Sequence, residues 1–384
     1  MKTMTLRNVG PIKKTELSFG DLTVLVGPQA TGKSIALQFL KLLLDKGQVH
    51  QQLTRHGIDW SGKGKETTFI DAYFGEGMHA IWGPQSAVEK DGKAVAMRQL
   101  AQRGKAASGE HVFMIPAQRV LALRNGWPRP FTDYAPGDPF GVRDFSEKLR
   151  TLVEQEFGGK EQLFPQKGRL KKEIRDLLTQ HVFGGFSLKV DKVASQKRLV
   201  LEHGAAPLPH MVWSAGQREF VPLLLGLYWL MPPTRTTTRE KIEWVVLEEL
   251  EMGLHPRAIN VVLLMVLELV WRGYKVCVST HAPQVLEAVW AIRQLQEARA
   301  GARELLEMFD CPATQPMQKL AEAVLKKQLK VYYFDRATGK SSDISRLDPD
   351  AKNKPEARWG GLGEFSARAN AAVADAVAAA GDAK

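Results

Sequence analysis

Short aliphatic and β-branched runs, each closed by a glycine, a carboxylate or a hydroxyl, alternate along this chain with longer stretches whose apolar residues return at helical spacing. Leu22-Thr-Val-Leu-Val26, Glu243-Trp-Val-Val-Leu247 and Tyr274-Lys-Val-Cys-Val-Ser279 are short and branched enough to be buried strands, and Lys330-Val-Tyr-Tyr-Phe334 predicts another. Ile35 to Leu44 and Phe220 to Leu230 read as core helices. Val88 to Val95 reads as a hairpin turning at Asp91-Gly92. Between Gln118 and Ser214 the pattern changes. A Pro/Gly-rich segment from Trp127 to Gly141 leads to helical stretches near 145–157 and 168–180, then to a strand pair from Phe186 to Glu202. Helices follow to about residue 329, and the Ala-rich stretch from Glu364 suits a terminal helix. The expected fold is α/β, with a mixed central sheet, flanking helices and a small helical/β lobe. The expected units are residues 1–126, an inserted lobe at 127–212, a second part of the main lobe at 213–345, and a polar tail at 346–384.

Chemistry sits where these elements end. Gly27-Pro-Gln-Ala-Thr-Gly-Lys33-Ser34 lies between a strand and a helix, the context of a phosphate loop. Gly27 and Gly32 let the backbone fold tightly, so that amide N–H groups and the helix N-terminus can wrap phosphates. Lys33 would set its ammonium between the β- and γ-phosphates, and the Ser34 hydroxyl would ligate Mg²⁺. Glu248 and Glu249 end a buried strand, the edge at which open α/β sheets place ligands. One carboxylate can serve the metal while the other orients or deprotonates the attacking water. His281 follows another strand, where an imidazole can donate to the γ-phosphate; taken alone it also suits a histidine satisfied at a strand end. Ser214-Ala215-Gly216-Gln217 opens the Phe220 helix with a hydroxyl and small residues, a surface suited to an anion, although an ordinary N-cap has the same look.

The order of these motifs resembles the ABC-type ATPases grouped with the overcoming-lysogenization-defect proteins, a stand-alone AAA-family ATPase group in this case, without a nuclease module. Glu248-Glu-Leu-Glu251-Met-Gly-Leu-His255-Pro256 is similar to that family's Walker B and D-loop segment, Phe113-Met-Ile-Pro-Ala-Gln118-Arg119 to its Q-loop strand, and Ser279-Thr-His281-Ala-Pro283 to its switch-histidine segment. Leu6-Arg-Asn-Val-Gly10 resembles the opening strand and turn shared with recombination and chromosome-maintenance ATPases. The resemblance implies a P-loop NTPase of ABC-head type. It implies ATP and Mg²⁺ held by Gly27, Pro28, Gln29, Ala30, Thr31, Gly32, Lys33 and Ser34, with Gln118 bridging metal and attacking water. Glu248 would stand in the metal's outer sphere, Glu249 would be the catalytic base, and His281 would contact the γ-phosphate. Ser214, Ala215, Gly216 and Gln217 would close on ATP bound by a second protomer, so a homodimer is expected. The sequence departs from the family pattern at Gln29-Ala30-Thr31, at Leu250 in place of proline, and at Ala215 in place of glycine.

Composition narrows the remaining choices. With 384 residues, 44% of them hydrophobic, the chain can bury a large core. No apolar stretch reaches the roughly 18 residues of a membrane helix, the opening residues read straight into a strand, and Cys277 and Cys311 are the only cysteines; a cytoplasmic protein without disulfides or membrane attachment is expected. The formal charge of +11 makes nucleic acid a candidate partner, and Lys167-Gly-Arg-Leu-Lys-Lys172 with Arg175 is read as a basic helix face, or simply a solvated one. Trp359-Gly-Gly-Leu-Gly363 is read as a docking element for a partner or as part of a frayed end. Three functions are open: an ATPase switch working with a separate protein effector in phage defence or a toxin system, a DNA-repair or chromosome-maintenance ATPase that clamps nucleic acid, and the energising subunit of a transporter.

Overall fold

A computed structural model describes every residue except 63, 105–108, 158–160, 194–195, 205, 233–237, 240, 358, 363 and 383–384. Its centre is a six-stranded sheet in the spatial order Ser341–Asp343, Leu329–Phe334, Leu22–Val26, Lys275–Ser279, Trp244–Glu248, Val112–Ile115. The last five run parallel, and Ser341–Asp343 is an antiparallel edge. Parallel strands need crossover connections and helices on both faces, which is why their sequences are apolar throughout. Side chains alternate between the two faces. Val245 and Leu247 join one apolar cluster with Phe113 and Ile115, whereas Trp244 and Val246 join the other with Val112 and Met114.

On the first face lie Ala215–Leu230 and Pro256–Arg272, both apolar along their length. On the second lie Lys33–Arg55 and an antiparallel sheet in which Thr3–Val9 pairs with Ile12–Ser18 and Trp82–Lys90. The expected hairpin continues from that sheet into Lys93–Val95, with Asp91 (φ 51°) and Gly92 (φ 75°) at the turn. Both turn residues at positive φ suit the twist of a two-residue hairpin. Between the strand Val112–Ile115 and the helix Ala215–Leu230 come the helix Phe140–Thr151, the short helix Lys172–Leu178 and four antiparallel strands between Gln162 and Pro209. This is an α/β fold with a mixed central sheet, flanking helices and a small helical/β lobe, the class expected from the sequence.

Two readings of the sequence need correction. The run from Lys167 to Arg175 is not a basic helix face, because the helix begins only at Lys172 and, although Lys167 is exposed, Arg169 and Lys171 turn inward. Arg169 is buried, donating to the Tyr228 carbonyl at 2.5 Å and pairing with Glu156 at 2.7 Å, while Lys171 pairs with buried Glu268 and lies over the Trp271 ring. Trp359 docks on its own chain: its indole N–H donates to the Leu347 carbonyl at 3.0 Å and its ring meets Trp290 at 5.7 Å. Beside it, Gly360 (φ 67°) packs so closely on Tyr333 and Val26 that a β-carbon would stand 2.9 Å from the Tyr333 ring.

Candidate active site

Parallel register gathers the motifs. Leu25 stands opposite Ser279, Ser279 opposite Glu248, and Leu247 opposite Ile115, so four strands end at one edge of the sheet. The loop after Val26, Gln118, Glu249 and His281 all leave from that edge. Apolar strands that are hydrogen-bonded on both sides thus hold polar residues in one row at the sheet's C-terminal side.

The loop from Gly27 to Ser34 has glycine where its path demands it. Gly27 is at φ 140°, with the Phe334 carbonyl oxygen in the place of any β-carbon, and Gly32 at φ 93° packs against the Ile12 side chain. Ala30 also takes a left-handed backbone, φ 61°, without the freedom of glycine. The Thr31 hydroxyl donates to the Pro28 carbonyl at 2.9 Å. Lys33 folds back over the loop, its ammonium donating to the Gly27 and Pro28 carbonyls at 2.8 and 2.9 Å. Burial brings its pKa down to about 8, against the opposing pull of Glu249 and Glu251. Gln29, Ala30, Ser34 and Gln118 are exposed.

The paired carboxylates differ in setting. Glu248 is 2% exposed. Its Oε2 accepts the Ala117 amide at 3.2 Å, and its Oε1 makes no hydrogen bond. Burial pushes its carboxyl up, opposed by the facing Ser34 hydroxyl and the Ala117 amide. A buried carboxylate oxygen without a partner, beside an exposed hydroxyl, fits a divalent cation that takes the rest of its oxygens from substrate phosphates and water. Among the described residues no group of three or more His, Cys, Asp or Glu side chains is placed to hold a metal ion, here or elsewhere. Glu249, by contrast, is partly open. Its backbone is held at φ 46°, its amide donates to the Ser279 carbonyl at 2.9 Å, and its Oε1 lies 3.7 Å from His281 Nε2. Burial lowers the His281 pKa, and the Lys33 ammonium adds to that.

The segment Ser214 to Gln217 stands apart from this row. Ser214 and Gln217 form a reciprocal cap: Ser214 Oγ accepts the Gln217 amide at 3.2 Å, and Gln217 Oε1 accepts the Ser214 amide at 3.0 Å. Ser214 and Ala215 are exposed, and the Gly216 position is crowded by the Gly253 carbonyl, 2.8 Å from where a β-carbon would lie. Ser214 thus fills the ordinary N-cap role and still presents its face to solvent.

Two residues that the sequence marks only as members of its Q-loop-like and Walker B-like segments prove to link the site's elements. Arg119 is 0% exposed and forks between segments, donating to the carbonyls of Glu219 (3.2 Å), Glu248 (3.0 Å) and Glu249 (3.1 Å). Glu251 accepts the His281 amide at 2.5 Å. The only sequence signals were their positions, next to Gln118 and two residues after Glu249.

No protein-family model matches the chain, and no curated protein matches it. Solved structures do. An SMC head bound to the C-winged helix domain of ScpA is 12% identical, with a TM-score of 0.37, covering 73% of this chain and 88% of that one. The SMC head domain from Thermotoga maritima is 13% identical, with a TM-score of 0.31 and coverage of 74% and 90%. A structure of the recombination mediator protein RecF is 9% identical, with a TM-score of 0.36 and coverage of 74% and 93%. Likeness this distant has no bearing on substrate or partner.

Proposed function

We propose that this chain is a Mg²⁺-dependent ATPase of the overcoming-lysogenization-defect-like group that works as a nucleotide-gated dimeric switch in the cytoplasm, coupled to a separate protein effector in phage defence or a toxin system. One observation supports this above the rest: parallel register brings the phosphate loop, the carboxylate pair and the histidine to one sheet edge. Residues 1–126, 127–212, 213–345 and 346–384 are the units of the same proposal.

The chemistry follows from the residues. Lys33 exchanges two loop carbonyls for the β- and γ-phosphates, and the loop amides with the helix N-terminus take the remaining charge. Ser34, Gln118 and Glu248 would hold Mg²⁺, which when bound offsets the negative charge that builds on the phosphates. Glu249 accepts the proton of the attacking water, Gln118 holds that water, and His281 donates to the γ-phosphate. Ser214, Gly216 and Gln217 close on the nucleotide of a second copy, so ATP joins two heads and hydrolysis parts them.

A second reading, a clamp on nucleic acid, would use a cleft of about 760 Å³ where Trp127 and Lys197 stand beside Arg124, Arg129 and Arg198, although Asp133 and Glu154 share the lining and the three arginines are paired with Asp133 or Asp191. No described helix is long and apolar enough to cross a membrane; an energising subunit docked on a separate membrane domain would need none, so co-purification with a membrane protein is what would revive the transporter reading.

Phosphate release from ATP by the purified chain tests the activity. Size-exclusion chromatography of Glu249→Gln with ATP and Mg²⁺ tests the sandwich, with a dimer expected and a persistent monomer overturning it. Stimulation by DNA that falls steeply with salt would favour the clamp.

A further inference from the structure

We infer that Arg119 is a positioning residue that ties the Ser214 face of each protomer to that same protomer's carboxylate pair, making hydrolysis cooperative between the two sites of a dimer. The inference rests on the dimeric ATPase reading and names a regulatory link within it.

Arg119 follows Gln118 directly, and none of its guanidinium is exposed. A planar fork with fixed donor directions fits several carbonyls at once, which an ammonium cannot do. Here Nε donates to the Glu219 carbonyl, with Glu219 Oε2 at 3.7 Å, while Nη1 and Nη2 donate to the carbonyls of Glu248 and Glu249. Glu219 lies five positions after Ser214 on the helix Ala215–Leu230, about 7.5 Å along its axis. A second join runs beside the first. The Gly253 carbonyl abuts Gly216, and Glu251, two residues before Gly253, accepts the His281 amide.

The start of this helix, the strand end bearing Glu249, and His281 therefore move as one block. A partner nucleotide that seats on Ser214 and shifts the helix start carries the Glu249 carbonyl with it through Arg119. Glu249 is held at a left-handed backbone, φ 46°, that a glutamate does not adopt freely, so a small displacement there changes where its carboxylate points.

The test compares ATP hydrolysis, affinity for a fluorescent ATP analogue and cooperativity in wild type, Arg119→Lys and Glu219→Gln. Arg119→Lys is expected to lower kcat about 30-fold or more, keep affinity within about threefold, and bring the Hill coefficient from near 2 towards 1. Glu219→Gln spares the three carbonyl bonds and removes the 3.7 Å ion pair that anchors the guanidinium at the helix side of the fork; it is expected to lower kcat by about fivefold with a partial loss of cooperativity, and it serves alone if Arg119→Lys does not fold. Wild-type kcat and cooperativity in both variants would overturn the link, as would equal losses of affinity and kcat. Absence of hydrolysis by wild type sinks the proposed activity instead, so the two failures are distinguishable.

Discussion

Glu249 Oε1 lies 3.7 Å from His281 Nε2, and the two side chains are about equally open to solvent. That is ion-pair distance, and the Glu249 backbone is held at φ 46°. Such conformations cost about 1–3 kcal/mol and persist where surrounding contacts enforce them, here the Ser279 and Arg119 hydrogen bonds. Glu249→Gly should raise unfolding stability by about 1 kcal/mol while abolishing turnover. Urea denaturation alongside an ATPase assay checks both halves, and a loss of stability would mean that position 249 is not strained.

Lys33 carries a second expectation. Burial places its pKa near about 8 in the free protein, and phosphates set against it would raise that value. Below the free-state value the lysine is charged before and after binding; above it, the neutral amine takes up a proton as ATP arrives. Calorimetry at about pH 9 in two buffers of different ionisation enthalpy should report proton uptake, and none at about pH 6. Lys33→Ala should lose ATP affinity and the proton together.

His50 sets the acid limit. It is buried among Trp60 and Phe69, neither ring nitrogen is hydrogen-bonded, and burial lowers its pKa from 6.5 to about 4. Its folded-state value lies below the unfolded one, so its contribution is complete above pH 6.5 and is lost as pH falls towards about 4. That amounts to roughly 2–3 kcal/mol. Denaturation midpoints across this window should fall in wild type and flatten in His50→Phe.

A buried ionic cluster ties the phosphate-loop helix to the helix Phe140–Thr151. Lys41 pairs with Glu110 at 2.8 Å, Asp45 at 3.5 Å and Asp144 at 3.7 Å, and Lys148 shares Glu110 and Asp144. Lys41→Met would leave three carboxylates around one cation and should cost about 3–5 kcal/mol of stability. Denaturant unfolding measures it, and a loss under about 1 kcal/mol would show that Lys148 alone suffices.

The strands and the loop were legible because their signals are local. A glycine pair at fixed spacing, a branched run and a carboxylate at its end need no distant information, and Val26, Glu248 and Ser279 lie where such reasoning puts them. The Arg119 fork was not legible, because it joins residues 100 to 130 positions away and no local pattern marks an arginine whose partners are carbonyls. The run from Lys167 to Arg175 misled for the opposite reason. Charge density suggested solvent, but Arg169 found Glu156, thirteen residues back, and Lys171 found buried Glu268, 97 residues on. Trp359 was open to either exposure or docking until its partners Trp290 and Leu347 came into view.

Gly360 rests directly on Val26, the last residue before the phosphate loop, and the helix Glu364–Asp382 begins four residues later. A pull on that helix therefore bears on the strand that leads into the Gly27–Ser34 loop. Shortening the chain ahead of Trp359 would strip this brace from the strand, whereas a tag fused beyond Asp382 would leave it in place.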